Sequence, residues 1–251
     1  MNYTIFFAVL NLILISRLRF TLRDRPITKM SDFVRLTAIP MLILPFLSIT
    51  AGSIILIVYL LMRPFILKML ENIQGDLNRN RMIALVIDIL AIGVLCSPLL
   101  SLQVADWSIE FASRLNEVFN PSSETIVSLQ WQTVLAILFG FLMILNEINL
   151  LIRYILEKLQ LAPLSNQHKK KIDEKQFRTG RVIGFLERIF VFLFILMGQY
   201  TAIGFVLAAK GVVRYPEFGN RSFAEYILIG TLLSSLLAMG MAFFIKIFLI
   251  L

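Results

Sequence analysis

The chain predicts an all-α, multi-pass transmembrane helical bundle of about six hydrophobic segments, one of them re-entrant or kinked. Three observations carry this expectation. Hydrophobic residues make up 58% of the 251 and charged residues only 16%. The apolar residues arrive in blocks of about 20 or more, the length that crosses roughly 30 Å of hydrocarbon. Some of those blocks nevertheless contain acids and arginines, which hydrocarbon disfavours by at least a few kcal/mol each.

The hydrophobic segments fall near 3–20, 37–62, 82–104, 131–153, 182–209 and 224–251, within one integral membrane domain over 1–251. The first, MNYTIFFAVLNLILIS, has neither a basic leader nor a small-residue cleavage site and is expected to be a retained membrane helix. The second carries Pro40, Pro45 and Gly52, which interrupt a helix. Broken helices at membrane depth require protein or a water-filled cavity around the freed backbone. Between the third and fourth segments, 105–130 forms an amphipathic outer loop, with Trp107, Phe111, Leu115, Val118 and Phe119 at helical spacing and Pro121 ending the helix. The fifth segment, 28 residues without proline, is expected to cross in one piece.

Loop charge sets the orientation, because Lys and Arg are retained on the cytoplasmic side. Residues 105–130 hold only Arg114, whereas 154–181 hold Lys158, Lys169, Lys170, Lys171, Lys175, Arg178 and Arg181. The 63–81 stretch adds Arg63, Lys68, Arg79 and Arg81. A further cluster, Arg17, Arg19, Arg23, Arg25, Lys29 and Arg35, asks for the same side as 63–81, although segment 37–62 lies between them. A re-entrant 37–62 lining a cavity satisfies both; a plain tilted span disobeys the charge rule. Segment 182–209 poses a milder form of the problem, flanked by the basic 154–181 loop and by Lys210, Arg214 and Arg221. With that segment as one crossing, the last returns to the cytoplasm and Lys246 snorkels there.

Asp88 lies six residues past Met82, Glu147 six before Arg153 and Glu187 six after Arg181. Each offset is about 9 Å at the helical rise, so the three acids share a level just inside the cytoplasmic interface. Asn146, Asn149 and Arg188 accompany them, and an interhelical polar layer is the economical arrangement. Glu187 and Arg188 point about 100° apart and are better placed to reach other helices than each other. This layer is either the wall of an ion or proton path or a closed network that locks the bundle. Gly230, Ser234, Ala238 and Ala242 form a ladder of small residues, echoed by Gly198 with Ala202 and Gly204 with Ala208. Such faces let helices pack closely, within the chain or in a homo-oligomer.

The stretches GRVIGFLER, GQYTAIGFVLAAK and FAEYILIGTLLS combine Gly180, Gly184, Glu187, Arg188, Gly198, Gln199, Tyr200, Gly204, Lys210, Arg214, Glu225 and Tyr226. Over about residues 178–240 this pattern resembles the C-terminal part of a bacterial polytopic membrane family known as domain of unknown function 3307. The resemblance implies an inner-membrane location and a helical C-terminal architecture, and it supplies no biochemistry. Members of that family usually open with a membrane helix bearing His and Asp, whereas this chain has no histidine before His168.

The basic residues Lys169, Lys170, Lys171, Lys175, Arg178 and Arg181 suit anionic lipid head groups or an anionic cytoplasmic ligand such as a nucleotide or oligonucleotide. No Gly-rich phosphate loop accompanies them. With one cysteine, Cys96, and one histidine, the chain offers no usual zinc set, no cofactor motif and no intrachain disulfide. The expected function is an oligomeric channel or pore-forming effector gated from the cytoplasm, with bacterial antiphage defence as its setting. A small secondary transporter is the first alternative, ranked lower because paired broken helices are its mark and only one segment is clearly broken. A membrane-embedded enzyme or scaffold comes last, since nucleophile and metal arrangements are missing.

Overall fold

The computed structural model describes residues 2–21, 26–27, 29–73, 76–98, 100, 102–119, 131–159, 174–214 and 221–250. Among these the chain is all-helical, with one isolated bridge between Leu47 and Val104 and no strand. Three helices are long and apolar enough to cross a membrane: Ala51–Glu71, Trp131–Lys158 and Ala224–Leu249. Only 33% of the apolar window of the first and 22% of the last is buried inside the chain. Exposed Ile54, Val58, Leu61, Phe65 and Met69 on the first, and Leu228, Leu232, Leu236 and Phe244 on the last, are therefore surface that suits lipid and not water. The chain divides into two compact units, Met1–Leu142 and Met143–Leu251.

The first unit contains α1 (Tyr3–Thr21), α2 (Met30–Met41), α3 (Ala51–Glu71), α4 (Leu77–Leu95), α5 (Asp106–Phe119) and most of α6 (Trp131–Leu145). Segment 37–62 is not one helix. Pro40 lies in the last turn of α2, a short 3₁₀ turn over Leu44–Phe46 contains Pro45, and Thr50 then caps α3 in a reciprocal pair with Ser53. The two arms run antiparallel: Arg63 of α3 donates to the Leu36 carbonyl of α2 at 3.2 Å, and the Phe33 and Phe65 rings lie 6.0 Å apart. This hairpin brings both flanks of the segment to one end, where Lys29, Lys68 and Arg79 also lie. The Lys29 end of α2 and the Lys68 end of α3 thus share one end of the unit, the placement that the two basic clusters ask for.

At the opposite end the turn after α2 is clamped by the chain that follows α4. Ser48 N–H donates to the Gln103 carbonyl at 3.0 Å, Ala105 N–H to Phe46 at 2.9 Å, and the Trp107 indole N–H to Pro45 at 3.1 Å. Gly52 is needed here, because a Cβ on it would overlap the Leu100 carbonyl oxygen. Helix α1 runs antiparallel to α4, with Asn2 N–H on the Cys96 carbonyl at 3.3 Å and Arg17 on the Arg81 carbonyl at 2.8 Å. It is also antiparallel to α6, through Asn11 donating to the Leu135 carbonyl at 2.9 Å and Phe7 against Phe139. Ala105 and the start of α6 therefore lie at different depths of the unit.

The second unit contains α7 (Glu147–Lys158), α8 (Glu174–Leu196), α9 (Tyr200–Arg214) and α10 (Arg221–Ile250). Here the expectation of a single crossing over 182–209 fails. Gly198, at φ 74°, ends α8 in a Schellman motif: Gln199 N–H reaches the Phe194 carbonyl at 2.7 Å and Gly198 N–H that of Ile195 at 3.1 Å. The chain then folds back, so that Lys210 of α9 meets Glu187 of α8. At about 22 Å, the 15 residues of α9 are too short to cross the hydrocarbon. Helix α10 runs parallel to α8, since Arg188 meets Ser234 while Tyr200, just past the tip, stacks on Phe243. Lys246 bonds the Tyr200 hydroxyl at 3.3 Å, so it lies at the hairpin tip, away from the basic N-terminal end of α8, the face at which snorkelling was expected.

Candidate functional site

Two buried ionic clusters are built by these hairpins, one in each unit. In the first, Tyr59 and Arg63 project from the same face of α3, one turn apart, toward Asp88 in the middle of α4. Arg63 Nε lies 3.1 Å from both carboxylate oxygens of Asp88, and the Tyr59 hydroxyl donates to Oδ1 at 2.8 Å. Arg17 of α1 approaches the same carboxylate at 4.0 Å. Arg63 Nη1 also reaches Ser16 Oγ at 3.3 Å, whereas Nη2 has no hydrogen-bond partner. One layer away, Arg81 Nε donates to Glu71 at 2.7 Å, and Glu71 accepts the Ile27 N–H at 2.8 Å. Asp88, Arg17, Arg63 and Arg81 are each 4% exposed or less. Three guanidiniums and two carboxylates thus form a buried ionic network across α1, α3 and α4, with α2 contributing the Leu36 carbonyl.

In the second unit Glu187 and Arg188 diverge to different helices. Glu187 accepts from Lys210, leaving its Oε1 without a partner. Arg188 Nη1 donates to Ser234 Oγ at 3.1 Å, and its guanidinium lies 5.0 Å over the Phe185 ring. Its Nε has no partner, and no carboxylate of the described residues is within ion-pair distance. On α7, Asn146 Nδ2 donates to Glu147 at 2.7 Å, while Asn149 Nδ2 is buried and unbonded. Ser234 is ten residues inside Ala224, about 15 Å along α10. Arg188 therefore meets the middle of that apolar run, deeper than the interfacial level expected.

The six residues expected in one polar layer are thus distributed: Asp88 belongs to the first unit, and Asn146, Glu147, Asn149, Glu187 and Arg188 to the second. Sequence reasoning missed Arg17, Arg63 and Arg81, which counted as loop charge but are buried. Their signal was available, because Tyr59 and Arg63 share a face of an otherwise apolar helix. Of the anion-binding candidates, Lys169, Lys170 and Lys171 lie outside the described residues; Lys175, Arg178 and Arg181 belong to the first turns of α8. Of the small residues, Ser234, Ala238 and Ala242 are buried and Gly230 lies against Leu156 of α7, so the α10 ladder is a packing face. Gly198 instead makes the turn, Ala202 is half-buried, and Gly204 and Ala208 are exposed.

Among the described residues the chain is thus all-helical, with three helices able to cross a membrane and a buried ionic cluster in each of two compact units. No protein-family model, curated protein or solved structure matches the chain.

Proposed function

We propose that the chain is a small ion-translocating carrier of the bacterial inner membrane, working by alternating access. The observation that supports this most is that each compact unit folds an apolar segment into a helical hairpin with one arm too short to cross, beside a buried ionic cluster. Interrupted helices in corresponding positions of two halves mark the binding region of secondary transporters. The second interruption, at Gly198, is the feature whose apparent absence had ranked a carrier below a channel. The clusters favour the same order: Asp88 is held by its own arginines and has no open polar surface, which suits an occluded state better than a standing pore. The end carrying Lys29, Lys68 and Arg79 faces the cytoplasm in this reading, and the resemblance over 178–240 supports the bacterial setting.

Proteoliposomes test it. With imposed gradients of protons, sodium, potassium, phosphate or a short carboxylate, a carrier gives saturable flux that is accelerated by the same solute on the far side. Non-saturating flux with unitary conductance steps selects the gated pore instead and overturns the carrier.

A further inference from the structure

A buried guanidinium without a carboxylate is the least explained group in the molecule. Arg188 is 5% exposed, and its contacts are a neutral hydroxyl, an aromatic face and nothing at Nε. The adjacent carboxylate, Glu187, acts on it through space but is bonded to Lys210, and Arg153 of α7 acts on it as a like charge. Removing a cation from water costs several kcal/mol unless an opposite charge and hydrogen bonds replace the solvent. The contrast with Arg63 is direct: that arginine has Asp88 at 3.1 Å and a tyrosine completing the carboxylate's shell.

Helix α7 brings the complementary donor. Leu156 lies against Gly230, one turn before Ser234 on the same stripe of α10, so α7 and α8 flank one stretch of that helix. Asn149 and Arg153 are one turn apart on α7 and share a face. Asn149 Nδ2 is a buried amide donor with no acceptor, and Arg188 Nε is a buried guanidinium donor with none. The Asn149 amide and the Arg188 Nε are both buried and unbonded, and Arg188 has no carboxylate of the described residues in ion-pair contact; the two call for an acceptor that carries negative charge.

We propose that Arg188, with Asn149, binds a small oxyanion group, a carboxylate or a phosphate, along the face that α7 and α8 share on α10. A planar guanidinium can donate Nε–H and an Nη–H side by side to two oxygens of such a group, and Ser234 and Phe185 hold its plane. The group is either that of a soluble anion or the head of an anionic lipid. The site gives the carrier reading a substrate class and rests on that reading only for its biological role. Binding is measured in detergent, so a failed binding assay and a failed flux assay are distinguishable.

The test heats the purified full chain in a zwitterionic detergent with sodium phosphate, sodium acetate or phosphatidylglycerol. Sodium chloride of equal ionic strength and phosphatidylcholine are the controls. At least one anion is expected to raise the unfolding midpoint in proportion to the logarithm of its concentration. Arg188→Met is expected to abolish the response and to melt no lower than the parent in chloride, because it removes an unpaired buried charge. Asn149→Leu is expected to weaken the apparent affinity about tenfold. A response to phosphate or acetate supports a soluble ligand, and one to phosphatidylglycerol alone supports a lipid head group. No response to any of the three overturns the proposal, as does an unchanged response in Arg188→Met. A marked loss of stability of that variant in chloride also overturns it, by assigning Arg188 a structural part. Should Arg188→Met not accumulate, Asn149→Leu decides, and an undiminished affinity in it refutes the site.

Discussion

Replacing Asp88 by Asn removes one charge from the first unit while keeping the side chain's volume. Arg63 and Asp88 are 3% and 6% exposed at their side chains, so water cannot take the lost charge's place. Arg63 Nε loses a carboxylate at 3.1 Å, and Arg17 loses the same group at 4.0 Å. Breaking a buried ion pair by removing one partner costs about 3–5 kcal/mol, because the other charge is left uncompensated. Asn can still accept from the Tyr59 hydroxyl, which favours the lower part of that range. At about 2–4 °C per kcal/mol for a chain of this length, the midpoint should fall by at least about 6 °C. Thermal unfolding of the purified protein in a mild detergent, followed by tryptophan fluorescence, measures it. The double variant Asp88→Asn with Arg63→Met should lose less than the sum of the single losses, since each change removes the charge the other left stranded. Arg114→Ala, which breaks a pair 73% and 67% exposed on α5, should cost under about 1 kcal/mol. A midpoint for Asp88→Asn within about 2 °C of the parent would refute the argument.

Three further outcomes follow from the hairpins. Gly198→Ala should lower stability by about 1–2 kcal/mol in the same melt, the cost of a left-handed backbone for an L side chain; its Cβ meets open space, so a much larger loss would mean that the turn does something more than reverse the chain. Gly52→Ala should cost more than Gly198→Ala, because the new methyl overlaps a backbone carbonyl, that of Leu100, and not a side chain able to move. In a Cys96→Ala background, Met30→Cys and Asn72→Cys should react with a membrane-impermeant maleimide from one face of oriented vesicles and Gln103→Cys from the other; labelling of Met30→Cys and Asn72→Cys from opposite faces excludes the α2–α3 hairpin.

Helix content was legible in this sequence because apolar blocks leave little choice, whereas chain reversal inside a block was anticipated at the first hairpin and missed at the second. Both hairpins had local signals. Pro40, Pro45 and Gly52 marked the first, and the positive-charge pattern on its two flanks argued for reversal independently. At the second, a glycine just beyond an apolar helical run is a C-cap signal, but Gly198 was read with Ala202 as half of a packing stripe. Membrane helices use glycine for both purposes, and spacing alone does not separate them. The charge pattern around 182–209 was the better witness: the basic 154–181 loop on one side and Lys210, Arg214 and Arg221 on the other already asked for a single face. The buried acids were legible as members of interhelical contacts, while their partners were not. Partner identity depends on which helices are neighbours, and Arg17 meets Arg81 and Asp88 only because α1 runs antiparallel to α4.

The two clusters use similar residues to opposite effect. In the first unit every named guanidinium has a carboxylate nearby, Arg63 and Arg17 at Asp88 and Arg81 at Glu71, and the carboxylates are further held by Tyr59 and the Ile27 amide. Such a network locks helices, and any single charge taken from it leaves another exposed to low dielectric. In the second unit the ion pair of Glu187 with Lys210 closes the hairpin, and Arg188 stands beside it with only a hydroxyl and a ring for company. A charge that holds the fold and a charge that awaits a ligand therefore respond with opposite signs to neutralisation. Asp88→Asn should destabilise the protein under all conditions, whereas Arg188→Met should leave the ligand-free protein at least as stable and remove only its response to an anion. Destabilisation of equal size in both would mean that Arg188 is one more structural lock, and the asymmetry between the units would lose its functional meaning.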